Sequence, residues 1–226
     1  MLPAPLAAAL LLLAPLAPET MPDAPAPPPG PPPAAASATA GALPPQPALG
    51  PVARAKLRAG VVVSTASEEA NGAAGTATGW AIARCPPERI LAILTSHADF
   101  AEWMPRMKAI EVLSRGERSE RALQTIDASI TLIKYALDFT WDPAALRVDF
   151  QLAKDVPHDV AAVVGHWQLW PLDGGRTTLI EYGNRVDIGR YVPGFIRSYL
   201  SDRGLKDAMD AVRKRGEEQH AAARGQ

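Results

Sequence analysis

The stretch from Gly165 to Tyr182 constrains this chain more than any other. Gly165, Trp167 and Leu169 alternate with His166, Gln168 and Trp170. Strict alternation sends successive side chains to opposite faces of a strand. Asp173-Gly174-Gly175 then supplies residues that tolerate the positive φ of a hairpin turn. Thr178, Ile180 and Tyr182 form an amphipathic row on the returning strand, and an amphipathic segment from Pro193 to Arg215 follows. The simplest structure for these parts is a curved sheet with a helix laid across its concave face. The space between sheet and helix is the natural place for function.

Composition divides the chain before any motif does. Sixteen of the 23 prolines fall at or before Pro51, and the first Lys or Arg is Arg54. A segment without basic residues and so rich in proline cannot build a mixed-charge folded surface or a continuous ladder. Leu6 to Ala17 is a Leu/Ala run of signal-peptide length, too short to span a bilayer. Residues 1–20 are therefore expected to be a signal peptide, 21–52 a disordered Pro/Ala linker, 53–217 the folded domain and 218–226 a polar tail. Export to the periplasm or medium follows, with the cytoplasm as the alternative. Residues 53–217 are enough for one core and short for two. A net charge of −1 gives no electrostatic footing for nucleic acid. Cys85 is the single cysteine, so no intramolecular disulfide or cysteine metal cluster can form, and beside Pro86 it reads as a small buried residue.

Within the domain, Leu57 to Thr65, with Val61-Val62-Val63, reads as a strand, and Asn71-Gly72 marks a turn. Thr76 to Ala83 is a second strand. Pro86 and Pro87 open a helix carrying Ile90, Leu91 and Leu94, since a missing N–H costs little there. Asp99 to Met104 forms a second short helix ended by Pro105. Six strands follow over 107–115, 119–128, 130–141, 145–153, 161–171 and 176–188, joined by links too short for crossovers and hence antiparallel. The last helix has two apolar patches, Phe195-Ile196-Tyr199-Leu200 and Leu205-Ala208-Met209-Val212, centred on different sides. A bend near Gly204 is expected between them.

Two strands, two short helices, six strands and a long C-terminal helix make an α+β fold. Ile82–Leu94, Phe100-Ala101-Glu102-Trp103-Met104-Pro105, Gly165–Pro171 with Gly174–Thr177, and Val192-Pro193-Gly194-Phe195 carry the local pattern. In this order and in these segments the chain resembles the START-like (SRPBCC) helix-grip superfamily. The similarity is nearest to its coenzyme-Q-binding and polyketide cyclase-like bacterial branch. The resemblance implies a curved antiparallel sheet gripping the long helix, with a deep apolar cavity between them. It implies non-covalent binding or transport of a hydrophobic small molecule, a lipid or quinone. An aromatase/cyclase-type enzyme is the alternative, and a protein-interaction module the third class.

Eight aromatics from several elements point to that interior: Trp103, Tyr135, Phe139, Phe150, Trp167, Tyr182, Phe195 and Tyr199. Ligand sites are mostly apolar with a few polar groups, so these are the expected ligand-binding residues. No catalytic residue is assigned. The four histidines (His97, His158, His166, His220) show no metal-ligand spacing. No nucleophile elbow or phosphate loop is present, so neither metal nor cofactor is expected. Glu181 and Arg185 share a strand face, and an outer solvated pair is the preferred reading for them. His166, opposite in face to Trp167, is a weak candidate for a cavity base. Arg190, Arg197, Arg203, Lys206, Arg213, Lys214 and Arg215 make the C-terminal region basic. They suit a solvated helix face, or transient contact with an anionic membrane surface. A monomer is expected.

Overall fold

The computed structural model describes residues 41–69, 74–129, 131–189 and 203–225, all within one unit, Ser37–Gln226. The helix α1 (Pro51–Arg58) comes first, then β1 (Val63–Glu68) and β2 (Ala74–Ala83). Two short helices follow, α2 (Pro87–Leu94) and α3 (Phe100–Trp103). Six strands come next: β3 (Met107–Arg115), β4 (Ser119–Asp127), β5 (Leu132–Asp142), β6 (Arg147–Leu152), β7 (Ala162–Leu172) and β8 (Thr177–Asp187). The chain closes on α4 (Gly204–Arg224). All strands lie in one sheet of order β1-β2-β8-β7-β6-β5-β4-β3, and each neighbouring pair is antiparallel.

The expected hairpin forms as the sequence dictates. Asp173, Gly174 and Gly175 have φ of 51°, 68° and 83°, and Trp167 pairs with Tyr182 across it. Parity then fixes the faces. Trp167 and Leu169 turn inward with Ile180, while Trp170 and Leu179 pack into a second apolar cluster on the outer face.

β2 shows why the last helix can approach the sheet so closely. Its inward row is Ala77, Gly79, Ala81 and Ala83, with three of the four positions alanine. A Cβ on Gly79 would stand 2.4 Å from Leu205 and 2.6 Å from Met209. Leu205, Met209 and Val212 are accordingly buried against the sheet, as the second apolar patch requires. Gly216 does the same service further along, where a Cβ would meet Ile90 at 2.4 Å.

Two expectations need correction. Leu57–Thr65 is not one strand. Pro51 stands in the first turn of α1, where a missing N–H costs nothing, and Ala55, Lys56, Leu57 and Arg58 favour helix. Gly60, at φ 78°, ends the helix before the valine run can begin β1. The last helix also runs through the polar stretch beyond Glu217 to Arg224. Glu217 faces Arg213 at 3.4 Å and accepts the Arg84 N–H at 2.9 Å, so polarity there marks a solvated helix face.

Residues 41–50, within the 21–52 span, run against the outer face. The Trp170 indole donates to the Pro44 carbonyl at 2.7 Å. Leu49 packs against the outer cluster of Leu57, Trp170 and Leu179. The 1–20 segment, the Asn71-Gly72 turn and the Pro193–Leu200 patch lie outside the described residues.

Candidate functional site

The inward faces of β4 to β8, together with α2, α3 and the start of α4, line an open cavity of about 150 Å³. One wall is a continuous run of rings. Phe100 meets His97 at 4.6 Å between centroids, and His97 meets Phe139 at 3.9 Å. Phe139 and Phe150 follow at 5.9 Å, then Phe150 and Tyr182 at 5.9 Å. Tyr182 finally stacks on Trp167 at 4.1 Å with planes 12° apart. Antiparallel register produces this run: Phe139 pairs with Phe150, Phe150 with Gly165, and Trp167 with Tyr182. Gly165 makes room for it, because a Cβ there would lie 2.3 Å from the Phe150 ring.

Of the eight aromatics singled out in the sequence, Tyr135, Phe139, Phe150, Trp167 and Tyr182 come together on this cavity. Phe195 and Tyr199 fall outside the described residues. Trp103 is placed elsewhere. It lines a separate depression of about 380 Å³ between α3 and α4, with Pro105, Asp207 and Lys214. There the Arg215 guanidinium sits 5.9 Å from the Trp103 ring centre. α3 is a single turn, and Phe100, not Trp103, is its buried residue.

The polar residues of the cavity were the ones hardest to read from sequence. His97 and Gln124 are 1% and 6% exposed, and both line the cavity. His97 Nδ1 lies 2.6 Å from Glu120 Oε1, and Glu120 is 2% exposed. Arg115 closes the group from outside, with Nη1 3.3 Å from Glu120 Oε2. Arg115 is itself held by the Thr95 carbonyl at 2.9 Å. A buried carboxylate is tolerable only with such partners. Asn184 donates to the Tyr182 hydroxyl at 3.4 Å and adds a further polar group. The described lining contains no Arg, Lys, Asp or Glu. One signal in the sequence does point to these residues. Glu120, Ala122, Gln124 and Ile126 form the buried row of β4, so two polar residues stand where the period demands apolar ones.

Other candidates resolve on the outer face. Glu181 is indeed on that side, but its partners are His166 at 3.0 Å and the Trp80 indole N–H at 2.7 Å. Arg185 instead reaches Glu69 at 2.8 Å. Burial pushes the Glu181 carboxyl upward, yet the hydrogen bonds from His166 and Trp80 prevail and hold it below the ordinary carboxylate range. Burial, then the Glu217 charge, lift the Cys85 thiol to about 11 against the pull of Arg89, so it is no nucleophile at neutral pH. On the last helix Arg213 and Lys214 pair with Asp210, and Arg215 with Asp99. Part of the basic run is thus matched by acids.

No family model and no curated protein matches the chain in sequence. Solved structures do match it in shape. One is a STAR-related lipid transfer protein from Xanthomonas axonopodis, with a TM-score of 0.59 and 15% identity over 69% of this chain and 93% of that one. Another is a START superfamily protein from Mycobacterium smegmatis, with a TM-score of 0.53 and 18% identity over 71% and 99%. A third is the di-domain aromatase/cyclase StfQ of the steffimycin biosynthetic pathway, with a TM-score of 0.52 and 12% identity over 77% and 55%. The chain has the START-like helix-grip fold. Within that fold, the cavity described above lies between the gripping sheet and the gripped helix.

Proposed function

We propose that this helix-grip protein binds a hydrophobic small molecule, of the lipid or quinone class, non-covalently in the sheet–helix cavity. The observation that carries the reading is the unbroken run of rings from Phe100 to Trp167 around about 150 Å³ of space. Space of this size takes one aromatic ring, and because the cavity is open on one side the rest of a larger ligand can lie at its mouth. Burying apolar ligand surface there is worth roughly 25 cal/mol per Å². A ligand that binds only the folded state stabilises it by mass action. The likeness in fold to a lipid transfer protein from Xanthomonas axonopodis supports the class of ligand.

Titration with N-phenyl-1-naphthylamine, an uncharged probe bright only in apolar surroundings, tests this. Saturable enhancement is expected from the intact chain. Ala208→Trp, which fills the cavity from α4, should remove it without unfolding the protein. Unsaturable enhancement, or equal binding by the blocked variant, would rule the reading out.

A second reading, an aromatase/cyclase-type enzyme, is favoured by one observation: His97 lines the cavity with a carboxylate behind it. A base needs such an orienting partner. Turnover of an apolar polyketone that disappears in His97→Phe would select this reading. Export is a separate proposal resting on Leu6–Ala17, and a mature chain that still carries Met1 would refute it.

A further inference from the structure

We infer that the cavity selects an uncharged ligand bearing a hydrogen-bond donor, an alcohol or phenol hydroxyl, and that His97 receives that donor. This rests on the cavity-binding reading and narrows it.

The Glu120 carboxylate is buried, with His97 Nδ1 on one oxygen and Arg115 on the other. Arg115 reaches the second carboxylate oxygen as an ion pair without a hydrogen bond. In the neutral ring, Nδ1–H donates to Glu120 and Nε2 keeps its lone pair. Glu120 is the hydrogen-bond partner recorded for His97 among the described residues. The ring lines the cavity, and its second nitrogen has no protein hydrogen-bond partner among the described residues, so it is left to water or to a ligand donor. A ligand that displaces that water without donating would leave a buried acceptor unpaired, which is costly.

Gln124 strengthens the case independently. It is 6% exposed, lines the same cavity, and has no side-chain hydrogen bond among the described residues. Its amide can donate to a ligand oxygen in the same cavity. A hydroxyl satisfies both residues, donating once and accepting once. A quinone carbonyl or an ether offers acceptors alone and would leave Nε2 unsatisfied. A phosphate or carboxylate would find no Arg or Lys among the described lining residues, and an unpaired charge there is heavily penalised. The described lining therefore favours alcohols and phenols over quinones and anionic lipids.

Two probes of one shape test this: p-cresol and p-xylene, which differ by a hydroxyl in place of a methyl. Their affinities for the intact chain are measured by NMR titration, and the ratio of the two is the readout. His97→Phe should shift that ratio toward p-xylene by about three- to tenfold, the range of one hydrogen bond. Gln124→Leu, which leaves the His97–Glu120 pair in place, should shift it in the same direction by a smaller factor. A wild-type measurement covers the case where His97→Phe does not fold. The ¹⁵N resonance of His97 Nε2 should be that of an unprotonated ring nitrogen, and it should respond to p-cresol and not to p-xylene. A protonated Nε2, or a ratio unchanged by the variants while both probes bind, would overturn the inference and leave cavity binding standing. If neither probe binds the wild-type chain, cavity binding fails and the inference falls with it.

Discussion

Two histidine–glutamate pairs sit on opposite faces of the same sheet, and their difference is instructive. His97 and Glu120 meet at 2.6 Å on the inner side, with side chains 2% and 0% exposed. His166 and Glu181 meet at 3.0 Å on the outer side, 27% and 17% exposed. The chemical partners are the same. Strand parity decides which pair faces a cavity and which faces solvent. Glu120 shares its row with Ala122, Gln124 and Ile126, while Glu181 shares its row with Leu179 beneath the outer cluster. The inner pair borders space that a ligand can fill. The outer pair borders Trp80 and Gly183, whose missing side chain leaves room for the His166 ring.

The strongest test of that contrast is Glu120→Ala. It strands a buried histidine and removes the inner partner of Arg115, so a loss of about 3–5 kcal/mol is expected from denaturant midpoints. Gly79→Val comes next. It overpacks the helix–sheet contact against Leu205 and Met209, which should destabilise by about 1–3 kcal/mol and shift the helix resonances most. Glu181→Gln should have the smallest effect, about 1 kcal/mol at neutral pH, since its Trp80 bond can be kept. Equal losses from Glu120→Ala and Glu181→Ala would erase the distinction between the faces.

The outer pair also makes a pH prediction. The folded Glu181 carboxyl is held below its unfolded value, which is near the ordinary glutamate figure of about 4.3. A depressed folded value means stabilisation that is fully present above the unfolded value. It is lost as pH falls through the folded value. Acid titration of stability should therefore be shallower in Glu181→Gln than in the wild type below about pH 4.3. Parallel curves would show that Glu181 contributes nothing to the acid transition.

Much of this was legible in the chain. Alternation in 145–153 and 161–171 gave strands within a residue or two of β6 and β7, because a two-residue period survives wherever one face is buried. Helix α1 was missed because Val61-Val62-Val63 drew the strand too early, past a proline and a positive-φ glycine that divide it. Five cavity aromatics were legible because large rings at inward positions have few other places to go. Trp103 packs on the main core and on Phe100 at 4.7 Å, but its ring borders the α3–α4 depression beside Arg215 and not the cavity. His97 was not legible as a site residue. It lies in the loop between α2 and α3, and its partner is 23 positions away on β4. Only the polar break in the buried row of β4 announced it.

The claim that the inner face, and not the outer one, holds the ligand is tested most directly by intermolecular NOEs from bound N-phenyl-1-naphthylamine. The two faces carry distinguishable tryptophans, Trp167 within and Trp170 without. The account predicts contacts from the probe to the rings of Trp167, Tyr182 and Phe139 and none to Trp170 or Leu179. Contacts confined to Trp170 and its neighbours would contradict it.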